Sequence, residues 1–487
     1  MSETDLFFHL KLGDLIRARH AIPFRNLFSF TWPDSPDPDL AWGFQVLVSL
    51  LHSAGGFPAI VLLKTLLVTL AAALVHRTAR RAGAGPLSSA ACIALAVLAA
   101  EQRIVERPHL FTFIGLGALG LLLVEAERRP RLLWLAVPLV WIWANLHAGV
   151  FLSIVVLALS FVGAHIDKTP IAKMFTQAAV LGLSVLSTFA TPAGARLPKY
   201  LLWHTGLGAT RIIEEFRRAD PWDDPWFFVM LALSVLVILG QRSRVSIRRL
   251  LPIVAVAILA SASVRFVAEW AFIAAPFIAI GLTPLELAIT RHHRIVLASG
   301  SALCFSLVVM DRWHQPVEIG LASDVVPFDA IDFITKNGLR DRLYEDLDVG
   351  CYLLWEGWPR YRVFQDARLP AYPDEFHRAL DRTPLEPAAF DALLRKYEVD
   401  AALINYPWIN MRAGSFDPEA WALLYRDDEA MVFARRTAKF DPVIARYEIP
   451  IRVRFRFLGG SSFEPLRARP TRSPLSDAEW RDRLSRL

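Results

Sequence analysis

The stretch 106–151 constrains this chain more than any other. It opens with Glu106-Arg107-Pro108-His109 and runs apolar over 110–124. It turns at Arg128-Arg129-Pro130-Arg131, then runs apolar again into Trp141-Ile142-Trp143-Ala144-Asn145-Leu146-His147. Apolar runs of this length suit a bilayer, but an Arg, two His and an Asn at their ends cost free energy unless paired or hydrated. A helical hairpin would put both polar clusters at one end, on one side of a membrane.

The rest of the chain follows the same pattern. Of 487 residues, 54% are hydrophobic and 21% charged, with a mean hydropathy of +0.37. Apolar runs are expected to span at about 56–76, 87–101, 109–126, 132–146, 148–165, 170–190, 222–240, 250–263, 266–285 and 295–310. The run 41–51 is too brief to cross and reads as an interfacial or re-entrant helix. One alternating set of loops is short and basic: Arg77, Arg80 and Arg81; Arg128, Arg129 and Arg131; Lys168 and Lys173; Arg242, Arg244, Arg248 and Arg249; Arg291 and Arg294. The excess of Lys and Arg places these loops in the cytoplasm. Segments 102–108, 191–221 and 263–265, the turn at Asn145 and both chain ends then lie outside. The net charge of +6 comes largely from such loops, which speaks for membrane topology rather than nucleic-acid binding.

From about residue 327 the pattern changes to short strands and helices. Segments 342–346, 361–364, 400–405 and 429–435 read as strands and 388–397 as an amphipathic helix, which together suggest a small α/β domain. The segment 449–457 alternates apolar residues with Arg, as a half-exposed strand or a contact to anionic headgroups would. The expected architecture is an α-helical polytopic membrane domain of about ten spans plus an interfacial helix, followed by a small extracytoplasmic α/β domain. Its boundaries are an external loop with the interfacial helix (1–55), a transmembrane domain (56–310), the α/β domain (311–438) and a basic tail (439–487).

Several polar groups stand out against this background. Asp5, His9 and Asp14 supply two carboxylates and an imidazole within ten residues; an Asp there suits a divalent metal or an acceptor proton, and a solvated loop is the plain alternative. Arg107 with His109 sits where an outer phosphate would approach, although a snorkelling Arg and a Pro in the first helical turn give the same pattern. Asn145 and His147 break an apolar run at a Gly, as a helix break with Asn145 capping it and His147 facing a cleft would. Asp366 and Arg368 fall at an expected strand end, as binding groups or as an ion pair. Cys92 and Cys304 lie in apolar runs and Cys351 is alone, so no disulfide framework is implied. No phosphate-binding glycine loop, dinucleotide glycine pattern, HExxH or GxSxG is present, so ATP-driven transport and zinc or serine hydrolysis lack their usual signatures.

Taken together the motifs resemble bacterial multi-pass proteins of the glycosyltransferase C superfamily, lipid-linked-sugar transferases akin to the dolichyl-phosphate-mannose and aminoarabinose transferases. The pieces that carry the resemblance are Asp5-Leu6-Phe7-Phe8-His9-Leu10 with Gly13-Asp14, Ile22-Pro23 with Phe28-Ser29-Phe30-Thr31, and Arg107-Pro108-His109-Leu110-Phe111. They continue with Trp143-Ala144-Asn145-Leu146-His147, Gly350-Cys351-Tyr352-Leu353-Leu354-Trp355, and Val363-Phe364-Gln365-Asp366-Ala367-Arg368 with Tyr372. The resemblance implies a bacterial cytoplasmic (inner) membrane protein with a polyprenyl-phosphate sugar donor and an extracytoplasmic acceptor. It also implies a general base at Asp5, or at Asp14 in second place, with Asp5 as metal ligand where Mg or Mn is used. Arg107 or Arg265 would then face the donor phosphate. Two rivals are a non-catalytic membrane subunit that keeps the fold and binds a protein partner through its C-terminal domain, and a lipid or solute transporter.

Overall fold

The computed structural model describes residues 3–37, 40–196, 199, 214–240, 246–288, 326–383, 386–405 and 416–450. Two compact units emerge. Among the described residues, one holds 40–196, 199, 214–240 and 246–288; the other combines 3–37 with 326–383, 386–405 and 416–450.

The first unit is a helical bundle. Its elements are α2 (Trp42–Arg81), α3 (Pro86–Ala99), α4 (Leu110–Ala126), α5 (Ala136–Leu146), α6 (Phe151–Ile166), α7 (Ile171–Phe189), α8 (Pro225–Gly240), α9 (Ile247–Ala262) and α10 (Val267–Ala288). A helix occupies each expected span as far as residue 285; the span expected at 295–310 lies outside the described residues. Among the described residues, Trp42–Arg81, Ala148–Ile166, Ile171–Phe189 and Val264–Ala288 are long and apolar enough to cross a membrane. Leu62, Leu66, Ile171, Phe175, Leu186 and Ile258 are between 63% and 73% exposed. Water would not tolerate so extensive an apolar girdle; lipid tails do. The unit is a membrane protein by this criterion.

α2 is two helices joined at Gly55-Gly56, where Gly56 takes φ +62° and Pro58 follows. Only glycine adopts that backbone at no steric cost, so the short run at 41–51 and the span at 56–76 appear as separate rods. α10 lies at the centre, with Ala268, Ala271, Ala274, Ala275 and Ala279 all essentially buried. Small side chains let helices approach closely where apolar burial alone does not drive association. Glu286 near its end accepts from Ser88 N (2.9 Å), Ser88 Oγ (2.8 Å) and Leu87 N (3.3 Å). These are donors that the start of α3 leaves without intrahelical partners.

The second unit contains α1 (Asp5–Arg19), α11 (Phe328–Lys336), β1 (Leu343–Tyr344), α12 (Leu347–Gly357), α13 (Asp374–Arg382), α14 (Pro387–Lys396), β2 (Ala401–Asn405), β3 (Trp421–Arg426), β4 (Ala430–Arg435) and α15 (Asp441–Tyr447). The sheet order is β1-β2-β4-β3; β1 runs parallel to β2 and the other pairs are antiparallel, with Ala402 opposite Phe433. Every residue of β2 and β3 is buried, so both faces of the sheet are covered. The core is aromatic: Phe416 stacks on Phe433 at 4.2 Å, and Tyr344, Phe364, Phe390 and Trp421 are buried around them.

Three expectations change here. Residues 5–19, expected in a loop segment, form a helix with Leu6, Phe7, Leu10 and Leu12 buried; Phe7 meets Tyr352 at 5.1 Å and Trp355 at 5.4 Å on α12. Segment 361–364 is not a strand and makes a single parallel bridge, Ser29 to Val363. Residues 441–449 are not tail: α15 follows the last strand, and Ile449 N donates to Leu423 O at 2.8 Å. The alternating segment 449–457 lies almost wholly outside the described residues.

Gly350 on α12 is held against rigid backbone, because a Cβ there would sit 2.0 Å from Gln365 O. Gly→Ala within a helix ordinarily stabilises by up to about 1 kcal/mol. Gly350→Ala should instead cost about 1–3 kcal/mol, read as a lowered thermal midpoint in detergent. Gly182→Ala, which meets nothing within 4 Å, should leave that midpoint unchanged or raise it.

Candidate functional site

In the helical unit, the segment before α4 and the turn between α9 and α10 converge on one carboxylate. Glu215 lies in a short 3-10 turn, Glu214–Phe216, that is strapped to the α9–α10 turn by Ser263 Oγ donating to Glu215 O (3.1 Å) and Val264 N donating to Arg217 O (2.9 Å). Its Oε1 accepts from Arg107 Nη1 at 2.5 Å; its Oε2 accepts from Arg103 Nη1 at 2.9 Å and Arg265 Nη1 at 3.3 Å. Burial alone would raise the Glu215 carboxyl, but the charges of Arg103, Arg107 and Arg265 outweigh it and hold the group at about 2. Three guanidinium groups bond one carboxylate, and Glu269 in the first turn of α10 lies within the field of Arg103 and Arg265. Arg103, Arg265 and Glu215 form one wall of a cavity of about 340 Å³, faced by Trp222, Trp226 and Asp224.

Behind the arginines lies a polar chain. His109 Nε2 donates to Arg103 O at 2.5 Å, which orders the turn that carries Arg103. Trp143 Nε1 donates to Thr112 Oγ1 (3.2 Å), and Thr112 bonds His147 Nδ1 (2.7 Å), which also accepts from Gly149 N (3.1 Å). An acceptor role at Nδ1 leaves the His147 ring proton on Nε2. The two imidazoles are 6.3 Å apart. The helix break after α5 is capped by His147, not by Asn145. Asn145 instead accepts from Trp42 Nε1 at 2.9 Å and donates to Trp141 O at 2.8 Å. The structure thus gathers Arg107, Arg265, His109 and His147 and leaves Asn145 as a brace between α2 and α5. Arg103 and Glu215 were not expected; a charge in a loop carries no sequence signal until the loops meet.

In the second unit, Asp366 and Arg368 are buried and spent on internal bonds. Arg368 reaches Asp366 through Nε (2.8 Å) and Nη2 (2.7 Å), Asp37 through Nη1 (2.6 Å) and Asn26 through Nη2 (2.8 Å). Tyr372 OH completes the shell on Asp366 at 2.8 Å, and Phe28 lies 4.6 Å beneath the guanidinium. Burial pushes Asp37 up despite Arg368, while Asp366 and Asp37 overcome the burial of Arg368 and raise it. These groups clamp residues 26–37 to 363–372 and take up four of the five Arg368 donors.

Asp5 and His9 are one turn apart on α1 and share a face. Asp14 is nine residues from Asp5, two and a half turns and about 13.5 Å along the axis, hence on the opposite face. It is exposed, 3.9 Å from Arg17. The two candidate carboxylates therefore stand as alternatives and not as a pair. Among the described residues no group of three or more His, Cys, Asp or Glu is placed to hold a metal.

A bundle of apolar helices with an arginine cluster at one end, together with a small sheet unit, defines a polytopic membrane protein whose fold is shared with a solved oligosaccharyltransferase. The likeness is to archaeal oligosaccharyltransferase AglB from Archaeoglobus fulgidus in complex with an inhibitory peptide and a dolichol-phosphate. It has a TM-score of 0.55 at 12% identity and covers 92% of this chain and 72% of that one. The apo form of the Archaeoglobus fulgidus enzyme matches at a TM-score of 0.56, with 11% identity over 90% of this chain and 71% of that one. ArnT from Cupriavidus metallidurans bound to undecaprenyl phosphate matches at 0.45, with 11% identity over 89% and 94%, too loosely to add to the fold assignment. No family model and no curated protein matches the sequence.

Two outcomes test these assignments. The depressed Glu215 carboxyl contributes stability above its unfolded value of 4.5 and loses it as pH falls toward 2. The thermal midpoint of the wild type should therefore drop more steeply between pH 5 and 3 than that of Glu215→Gln. Arg368→Gln leaves Asp37 and Asp366 buried without their cation, which should cost about 3–5 kcal/mol in denaturant or thermal unfolding.

Proposed function

We propose that this protein transfers a sugar from a polyprenyl-phosphate donor to an acceptor, with Arg103, Arg107 and Arg265 holding the donor phosphate. The reading places it in a bacterial cytoplasmic membrane, with the arginine cluster at the end away from the cytoplasm. The observation that carries it is the convergence of three guanidinium groups on the two oxygens of Glu215, with Arg103 and Arg265 lining a cavity of about 340 Å³. Guanidinium forks match phosphate as they match carboxylate. Glu215 then stands where phosphate oxygens would bind, and an arriving lipid phosphate displaces it. The AglB structure that shares the fold contains a dolichol-phosphate, which supports a lipid phosphate as the ligand class.

In this reaction an acceptor oxygen attacks the anomeric carbon as the carbon–oxygen bond to the phosphate breaks, and the polyprenyl phosphate leaves carrying the electron pair. The arginines stabilise the charge that grows on the departing oxygen. His109 holds Arg103 in place through its carbonyl, a positioning role. Asp5 is the carboxylate proposed to take the acceptor proton; full turnover by Asp5→Asn would remove it from that role.

Undecaprenyl phosphate binding to the purified protein tests the site directly. Arg107→Ala and Arg265→Ala should each weaken binding about tenfold or more. Glu215→Gln, which removes the competing internal anion, should tighten it several-fold. Binding unchanged by all three substitutions would remove the phosphate from this cluster.

A further inference from the structure

A second charged cluster lies at the other end of α4. Glu127, which caps the helix, accepts from Arg248 Nη2 at 2.5 Å and from Arg249 Nη2 at 2.8 and 2.9 Å. Both arginines open α9, whose first amides are held by Asp167 at 3.1 Å. Seventeen residues of α4 separate this cluster from Arg107, about 26 Å at the helical rise. That is close to the roughly 30 Å thickness of bilayer hydrocarbon, so the two clusters sit at the headgroup levels of opposite leaflets.

Beneath Arg248 and Arg249 runs a cleft of about 110 Å³ between α2, α4, α6, α9 and α10. Its walls are almost wholly apolar, and Leu123, Val124, Ile273 and Phe277 along it are half-exposed. Gly117 and Gly120 on α4 keep it open: a Cβ on Gly120 would meet nothing closer than Thr78 at 3.6 Å. Two guanidinium groups share one carboxylate at the mouth, and Arg128, Arg129 and Arg131 stand exposed on the adjoining turn. An apolar slot under an excess of positive charge, at headgroup depth, has the chemistry of an anionic amphiphile site.

We propose that an anionic phospholipid of that leaflet seats its phosphate on Arg248 and Arg249 and lays part of one acyl chain in the cleft. The positive excess selects it over a zwitterionic lipid, and the apolar walls select it over a water-soluble phosphate. The site is separate from the Arg107 cluster and does not rest on the transferase reading.

The full-length protein in detergent can be titrated with phosphatidylglycerol, phosphatidylethanolamine and glycerol phosphate, with retention read by native mass spectrometry and stabilisation by the thermal midpoint. Phosphatidylglycerol should be retained about tenfold better than phosphatidylethanolamine, and glycerol phosphate should not stabilise. Arg248→Gln with Arg249→Gln should abolish the preference, while Arg248→Lys with Arg249→Lys keeps the charge and should retain most of it. Gly120→Leu fills the cleft without touching the arginines and should lose lipid retention while the fold persists, which covers the case in which the double Gln variant is unstable. Equal retention of the two lipids, retention undiminished in Gly120→Leu, or equal stabilisation by glycerol phosphate would each overturn the assignment.

Discussion

A charge inside hydrocarbon is tolerated only where another charge meets it, and this bundle is arranged around that constraint. α4 carries its polar groups at its two ends and nothing charged between. At one end Arg103 and Arg107 meet Arg265 through Glu215; at the other, Glu127 meets Arg248 and Arg249. α9 begins in one cluster and leads into the other. The same two helices therefore connect both polar levels, and the apolar core between them needs only small residues and close packing. In each cluster the cations outnumber the one carboxylate that their side chains bond directly.

The sheet unit solves a different problem with a similar device. Its first segment and its last third are joined by a buried ion pair rather than by sheet pairing, because residues 26–37 contribute only isolated bridges. Arg368 takes two carboxylates, an amide and an aromatic face, which uses four of its five donors. A buried arginine so fully occupied acts as a fastener.

The bundle was legible in the sequence wherever apolar runs met basic loops, and the break at Gly55-Gly56 was legible as a short run followed by a long one. Arg107, His109 and His147 were legible because polar groups at the ends of apolar runs need a reason. Arg103 and Glu215 were not: both sit in loops, where charge is ordinary, and their meeting depends on the α9–α10 turn closing over α4. α1 read as a loop because Asp5, His9, Lys11 and Asp14 interrupt its apolar residues, and α12, some 340 positions later, supplies the surface that buries them. β3 shows no alternation, since both of its faces are covered. Asp366 and Arg368 kept the character of a plain ion pair, which their adjacency had left open.

The union of the first residues with the last third also sets a schedule for synthesis. Thr4 bonds Asp348 across 344 positions. At ribosomal rates of roughly 5–20 residues per second, α1 waits on the order of 20 to 70 s for the helix that buries it. During that interval its leucines and phenylalanines need a chaperone, a lipid surface or the insertion machinery to shield them. A messenger that stops before α12 would release a chain in which α1 never finds its berth.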